Sequence, residues 1–250
     1  MRLRQIAIAC RDVDAVGRDL TSAFGLKIAY RDPAIIHYGL ANAVLPAGTG
    51  FIEVLAPVRP DASAARFLAR RGGDTGYMLI LQVGDAAAER ARIAGFGVRV
   101  VDDIEGPRYR AAHFHPADFG GVLVSVDEQR TAADPLEPFG DWQPAGRDWR
   151  DAVTPEVLDL TAATLTSADP AGLAALYSRL LGRPLAAPLR LPLDRGELRF
   201  AEGPEDRTEI AEIELQVRDP AAALERAARA GLAISDGAVR IGGVRIKPVG

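Results

Sequence analysis

Apolar and polar residues follow one pattern that recurs four times along the 250-residue chain. Each copy opens with an apolar segment of strand length. It continues through an aspartate into an alanine- and leucine-rich segment with helical spacing, then passes a glycine before the next apolar segment. A pattern that repeats in this way predicts one supersecondary unit used several times. The copies begin at Gln5, Met78, Ala162 and Glu212.

Capping residues mark the two ends of each predicted helix. An aspartate before the first helical turn accepts hydrogen bonds from unpaired N–H groups, and a glycine after the last turn adopts the left-handed conformation at little steric cost. We therefore assign these residues to capping rather than to catalysis. The aspartates are Asp12, Asp85, Asp169 and Asp219, and the glycines are Gly25, Gly97, Gly182 and Gly231.

A closing apolar strand ends each copy, and shorter strands are predicted inside it. The closing strands begin at Gly50, Gly120, Gly196 and Gly242. Shorter strands are predicted at AIIHYGL, around His37, and at RAAHFHP, around His115. Each copy is therefore a βαβββ module, and the third and fourth are compressed, with one or two short strands missing. The predicted fold class is α+β, built from four such modules.

The segment between the second and third copies breaks the pattern and is rich in proline and acidic residues. It predicts a linker over 129–155, between a first domain at 1–128 and a second at 156–250. Trp142 and Trp149 are too large and apolar for a fully solvated tether. Two interpretations remain open: the tryptophans fix the linker to a domain, or they form a lid over a pocket.

Composition narrows the classes of partner and compartment. The net charge of −4 gives no basic excess for nucleic acid. No apolar run approaches the roughly 18 residues that cross a bilayer. The single cysteine, Cys10, excludes an intramolecular disulfide, and the N-terminal residues resemble a strand rather than a secretion signal. We expect a cytoplasmic protein with a small-molecule ligand; whether two copies pair as a homodimer stays open.

Three stretches of the N-terminal half resemble the vicinal-oxygen-chelate, or glyoxalase-like, superfamily, and methylmalonyl-CoA epimerases in particular. They are QIAIACRDVDA, FIEVLAPVRPDASAARFLARRGG and HPADFGGVLVSVDE. The second half resembles a divergent copy of the same domain. The resemblance implies two glyoxalase/bleomycin-resistance-like domains, each formed by two modules around a cup. It also implies a divalent metal held by one side chain from each opening and closing strand, with positions left open for two substrate oxygens.

The metal positions implied by the resemblance carry few metal ligands in the N-terminal half. Gln5 stands on the first opening strand and Glu53 on the first closing strand. Met78 and Ser125 occupy the matching positions of the second module. Only Glu53 is a good ligand for a hard dication, and Gln5 is a weak one. A divalent metal is therefore a cofactor that the resemblance suggests but these residues support poorly.

The C-terminal half is equally poor in ligands. An extradiol dioxygenase, another four-module member of the superfamily, needs histidines in this half, and all three histidines of the chain lie in the other half. This argues against extradiol cleavage.

An alternative is that the C-terminal half has a purely architectural role, and the residues at its implied metal positions support this. The positions implied here are Ala162, Arg199, Glu212 and Lys247.

The histidines offer a relocated site in the N-terminal half. His113 and His115 are two apart on a predicted strand, which places both on one face. Together with Glu53 they form a candidate metal site and a candidate catalytic group, with Glu53 as ligand or base and the histidines as ligands or proton carriers. Structural packing is the alternative for each histidine, including His37 on its own predicted strand.

Two functional hypotheses follow for the N-terminal cup. The first is an isomerase, lyase or dioxygenase-like enzyme that uses a depleted or relocated metal site. The second is a metal-free protein that binds or sequesters a small organic molecule, as bleomycin-resistance proteins do, for which an apolar cavity with few polar groups is enough. The candidate ligand-binding residues are Gln5, His37, Tyr38, Tyr77, Met78 and Ser125.

Overall fold

The computed structural model describes residues 1–131 and 134–250. The strands are β1 (Arg2–Ala9), β2 (Leu40–Ala47), β3 (Gly50–Pro57), β4 (Thr75–Gln82), β5 (Val100–Glu105), β6 (Tyr109–Phe114), β7 (Leu123–Gln129), β8 (Val157–Ser167), β9 (Arg190–Pro192), β10 (Glu197–Glu202), β11 (Glu209–Val217), β12 (Ile234–Ser235), β13 (Ala238–Ile241) and β14 (Val244–Val249). The α-helices are α1 (Val13–Phe24), α2 (Ser63–Arg71), α3 (Ala86–Ala94), α4 (Pro170–Leu181) and α5 (Pro220–Arg229). In the described ranges, no helix has both the length and the apolar character needed to span a bilayer.

The strands form two seven-stranded sheets, which confirms the predicted mixed fold built from repeated modules. One sheet has the order β2-β3-β1-β4-β7-β6-β5 and the other β12-β13-β14-β11-β8-β10-β9. Within every module the opening strand pairs in parallel with the closing strand: β1 with β3, β4 with β7, β8 with β10, and β11 with β14. The crossover helix that a parallel pair requires is α1, α3, α4 or α5 in turn.

The number of strands varies between modules in a way that the sequence predicted only in part. The third module is compressed as expected, with β8, β9 and β10. The fourth module has all four strands, so the prediction of a missing strand there was wrong. The strand predicted around His37 was also wrong, because Pro33–Tyr38 forms a 3-10 helix. Asp32 caps this helix with its side chain, and Gly39 ends it in the left-handed conformation at φ 73°.

The four aspartate caps are confirmed, and they explain why the helices begin where they do. The Asp12 carboxylate accepts the Ala15 N–H at 2.9 Å, and Asp169 accepts the Gly172 N–H at 2.8 Å. Asp85 and Asp219 make the same contact three residues ahead. Each satisfies an N–H group that the first turn leaves without an intrahelical partner.

The chain folds into two compact units that do not follow sequence order. One unit combines Met1–Arg4, Met78–Gln143 and Thr161–Ala211, and so holds the second and third modules. The other combines Gln5–Tyr77, Pro144–Leu160 and Glu212–Gly250, and holds the first and fourth. The division into 1–128, 129–155 and 156–250 stays a prediction.

The predicted linker is packed rather than solvated, and its two tryptophans belong to different units. Trp142 is buried against Tyr109, with ring centroids 5.8 Å apart, and Arg4 lies over its ring at 5.2 Å. Trp149 is buried against Phe51 at 4.9 Å. Each tryptophan therefore fixes its part of the segment to its own unit.

An aromatic cluster in the unit with the second and third modules contains an unsatisfied hydroxyl group. The Tyr177 ring packs at 5.4 Å against both Phe119 and Phe200. Its hydroxyl group is buried, and among the described residues it has no hydrogen-bond partner. Burial also raises the pKa of Tyr177. A buried donor without a partner keeps its full desolvation penalty.

Replacing Tyr177 by phenylalanine is therefore expected to raise the free energy of unfolding by about 1 kcal/mol, because it removes the unsatisfied hydroxyl group and keeps the ring. Urea denaturation measures the change. The matched control is Tyr109→Phe: the Tyr109 hydroxyl group donates to the buried Asp127 carboxylate, so that substitution is expected to destabilise. Equal losses in the two variants would contradict the assignment.

Candidate ligand-binding site

A carboxyl group at the centre of β3 is the main polar feature of the first module. Glu53 is 7% exposed. Its Oε2 accepts the Gln5 side-chain amide N–H at 2.8 Å, and its Oε1 accepts the Asn42 amide N–H at 2.7 Å. Three adjacent strands, β1, β3 and β2, supply the three side chains, so the carboxyl group is held from both sides of its own strand.

Burial controls the ionisation of this carboxyl group. Desolvation raises the pKa of Glu53 above its ordinary value of 4.5, and the negative charge of Asp32 acts in the same direction. The two amide hydrogen bonds oppose the shift without cancelling it. Within 1–131 and 134–250, no lysine, arginine or histidine forms an ion pair with Glu53. A buried carboxyl group without a cation is costly, and such groups concentrate at functional sites.

Asn42 was missed by the sequence analysis, and its orientation is fixed by the backbone. The Asp32 N–H donates to Asn42 Oδ1 at 2.9 Å, so the Asn42 amide nitrogen points at Glu53. Asp32 is the cap of the 3-10 helix that carries His37 and Tyr38, whose rings pack edge to face at 5.2 Å. A buried amide in the otherwise apolar strand LANAVLPA is the signal that could have identified this residue.

Tyr77 lies on β4, in the same compact unit as Glu53. Burial raises the pKa of Tyr77, a hydrogen bond to Ser63 on α2 lowers it, and the Glu53 charge raises it. The Tyr77 ring packs edge to face against Phe67, also on α2, at 5.1 Å. The charge of Glu53 therefore acts on this residue, which the sequence analysis proposed for ligand binding.

The strand register places the metal positions implied by the resemblance at equivalent points of all four modules. Gln5 pairs with Phe51, two residues before Glu53, and Met78 pairs with Leu123, two residues before Ser125. The C-terminal modules keep the same offset, which also settles the position of Arg199. The pairs there are Ala162 with Glu197 and Glu212 with Arg245, two residues before Arg199 and Lys247.

The matching face of the second module is covered by the chain itself. Ser125 pairs with His113 across β6 and β7, and Gln82 and Gln129 lie on the same face because paired and alternate residues point the same way. Gln82 donates to the Pro135 carbonyl oxygen at 2.7 Å, and Gln129 accepts the Gln143 N–H at 2.9 Å. Residues 134–143 therefore occupy this face.

The two histidines of the second module have separate surroundings. His113 lies on β6, with its Nδ1 3.7 Å from an Asp102 oxygen, and burial lowers the pKa of His113. His115 lies beyond the strand, where its Nδ1 accepts the Ala117 N–H at 3.2 Å and contacts Arg99 at 3.1 Å. The prediction that His113 and His115 share a strand face was wrong, because His115 caps the 3-10 helix Pro116–Phe119.

The residues present do not fit the divalent metal that the resemblance implies. The candidate set Glu53, His113 and His115 is not assembled: the described residues contain no group of three or more potential His, Cys, Asp or Glu ligands. Among the register-equivalent positions of the first two modules, Glu53 supplies the one carboxylate, Gln5 offers a neutral amide, Met78 a soft thioether, and Ser125 a neutral hydroxyl group. A hard dication prefers several anionic or carbonyl oxygens.

Comparison with known proteins assigns most of the chain to one family. The model of the family described as "Glyoxalase-like domain" matches residues 6–181. The chain is also 27% identical over 131 residues to the ethylmalonyl-CoA/methylmalonyl-CoA epimerase of Cereibacter sphaeroides, an alignment that covers 51% of this chain and 97% of that protein.

Solved structures extend the comparison to most of the chain. A methylmalonyl-CoA epimerase from Mycobacterium tuberculosis is similar over 51% of this chain and 87% of its own, at 28% identity and a TM-score of 0.47. A mutant of 4-hydroxymandelate synthase from Streptomyces coelicolor is similar over 93% of this chain and 75% of its own, at 17% identity and a TM-score of 0.67. At that identity the second similarity shows the fold alone.

Proposed function

We propose that this chain, which belongs to the glyoxalase-like domain family, binds a small organic molecule on the face of its first module through Glu53. The observation that carries the proposal is the Glu53 carboxyl group, buried between the Gln5 and Asn42 amides without a cation. A packed core would be more stable with an apolar residue at this position. The destabilisation that the buried Glu53 carboxyl group causes is therefore best explained by a ligand that binds this group.

The difference between the first two modules supports placing the ligand on the first. The Ser125 face of the second module is hydrogen-bonded to residues 134–143 of the same chain. On the first module, the polar contacts of the Glu53 carboxyl group are the two amides. Trp149 packs on Phe51 at one end of this face. The carboxyl group accepts a hydrogen bond from Asn42 on β2, and its charge acts on Tyr77 on β4.

A second candidate function, proton transfer, is favoured by the raised pKa of Glu53. Burial shifts the pKa of this carboxyl group upward, the direction in which a carboxyl group is tuned for work as a general acid or base. The two amides fix its orientation. This supports an isomerase- or lyase-type reaction in which Glu53 moves a proton at a carbon or oxygen of the ligand, without a metal.

Ligand-observed NMR with a library of small amines, amides, carboxylates, phenols and thioesters tests the proposal. At least one compound is expected to show a binding signal with the wild-type protein and none with Glu53→Gln. This substitution keeps the shape of the side chain and removes its acidic group. Glu225→Gln, on exposed surface of α5, is the matched control and should bind normally. If every compound that binds the wild-type protein bound Glu53→Gln equally well, the proposal would be overturned.

Proton transfer is tested with the same binders in deuterated water. Exchange of a ligand C–H proton that stops with Glu53→Gln would support the second candidate function. Binding without exchange would leave the binding function standing and remove proton transfer.

A further inference from the structure

We propose that the ligand of the Glu53 face is an organic cation: an amine, amidine or guanidine whose charged nitrogen binds the Glu53 carboxylate. The inference rests on the proposed function and adds the charge and chemical class of the ligand. Three features of the site support it: its charge balance, the acceptor capacity of the carboxylate and the nearby aromatic rings.

The charge balance of the site favours a positive ligand. In the part of the chain that the structure describes, the Glu53 carboxylate has amide donors and no ion-pair partner. The charge that acts on it is Asp32, of the same sign. A cation that enters is attracted by both carboxylates and replaces the missing counter-charge, whereas an anionic ligand would meet repulsion from both.

The two hydrogen bonds of the carboxylate leave some of its acceptor positions unused. An ionised carboxylate has about four acceptor positions, two on each oxygen. One position on Oε2 is used by Gln5 and one on Oε1 by Asn42. Each oxygen keeps one acceptor position, an arrangement that suits the paired N–H groups of an amidine or guanidine.

An aromatic pair, Tyr77 and Phe67, offers ring surface of the kind on which cations bind favourably. Tyr77 lies within electrostatic range of Glu53, and its ring packs on Phe67. The Phe67 ring already holds one cation of the protein, since the Arg71 guanidinium lies 5.1 Å from its centroid. Ring faces attract ammonium and guanidinium groups, most strongly when these groups are partly desolvated.

Three probes of the same size and different charge test the inference: benzamidine, benzamide and benzoate. Calorimetric titration is expected to show benzamidine binding at least about tenfold more tightly than benzamide, and benzoate binding more weakly still. Glu53→Gln should remove the advantage of benzamidine over benzamide, and Glu225→Gln should preserve it. Benzamidine affinity should also rise with pH as Glu53 loses its proton, with Asp32, Tyr77 and Arg66 as the other titratable or charged groups that act at the site.

Two results would overturn the inference and are distinguishable from failure of the proposed function. Equal binding of the three probes, or binding of benzoate in preference to benzamidine, would show that the site does not select positive charge. If benzamidine does not bind while a neutral or anionic compound of the wider library depends on Glu53, the cation assignment fails and the binding function stands. If no compound depends on Glu53, both fail.

Discussion

Replacing Trp149 by alanine is expected to lower the free energy of unfolding by about 3–5 kcal/mol, the range for truncating a fully buried tryptophan. The ring is 0% exposed and packs edge to face against Phe51, whose own side chain is buried. Arg150 lies over the same ring at 5.2 Å. Truncation removes these contacts together and opens a cavity on the face that carries Glu53.

Chemical denaturation followed by far-ultraviolet circular dichroism measures this loss, because the signal does not depend on tryptophan. The matched control is Phe139→Ala, in the same predicted linker but 52% exposed, for which a change within about 0.5 kcal/mol is expected. A loss below about 1 kcal/mol for Trp149→Ala would contradict the packed arrangement and favour a mobile lid.

The stability of the wild-type protein is expected to fall relative to that of Glu53→Gln as pH rises through the folded-state pKa of Glu53. Burial raises the pKa of Glu53 in the folded state above the ordinary 4.5. Between these two values the folded chain keeps a proton that the unfolded chain has lost, so unfolding releases a proton and higher pH favours unfolding. The contribution is fully present below 4.5 and is lost as pH passes the folded-state pKa.

Other ionisable groups give stability a pH dependence of the opposite sign. Comparing the wild-type protein with the variant cancels their contributions. Hydrogen bonds from Arg183 lower the pKa of Asp194 to about 2, so that carboxylate stabilises the fold above its ordinary pKa and loses its effect in acid. Because Asp194 is present in both proteins, the difference between wild type and Glu53→Gln isolates Glu53. Urea denaturation across the pH range measures it, and a difference that is flat with pH would contradict the raised pKa.

The local parts of the fold were readable from the sequence because their causes are local. Asp12 and Asp169 cap helices through N–H groups three residues ahead, and the apolar closing strands lie next to their opening strands in every module. The His37 segment was mistaken for a strand because its apolar residues outweighed the signals Asp32-Pro33 before it and Gly39 after it. Those signals start and end a 3-10 helix.

The site was predictable in position but not in composition. The resemblance identified Gln5 and Glu53, and the register brings them together. Asn42 stands out along β2 as an amide in an apolar strand, but its contact with Glu53 depends on the pairing of β2 with β3 and on the Asp32 N–H, which the sequence of β2 does not encode. The prediction of a relocated histidine site failed for a related reason. His113 and His115 share a face only if β6 continues through both residues, and the strand ends at Phe114. The grouping of modules into units depends on packing between distant segments.

The most direct test of the account is a carbon-13 NMR titration of the Glu53 side-chain carboxyl group, with the resonance assigned by its absence in Glu53→Gln. We predict a pKa above 4.5 that falls when benzamidine binds, because a bound cation stabilises the ionised form. A pKa at or below 4.5 in the free protein would contradict the account, since it would place Glu53 in a solvated or cation-paired environment.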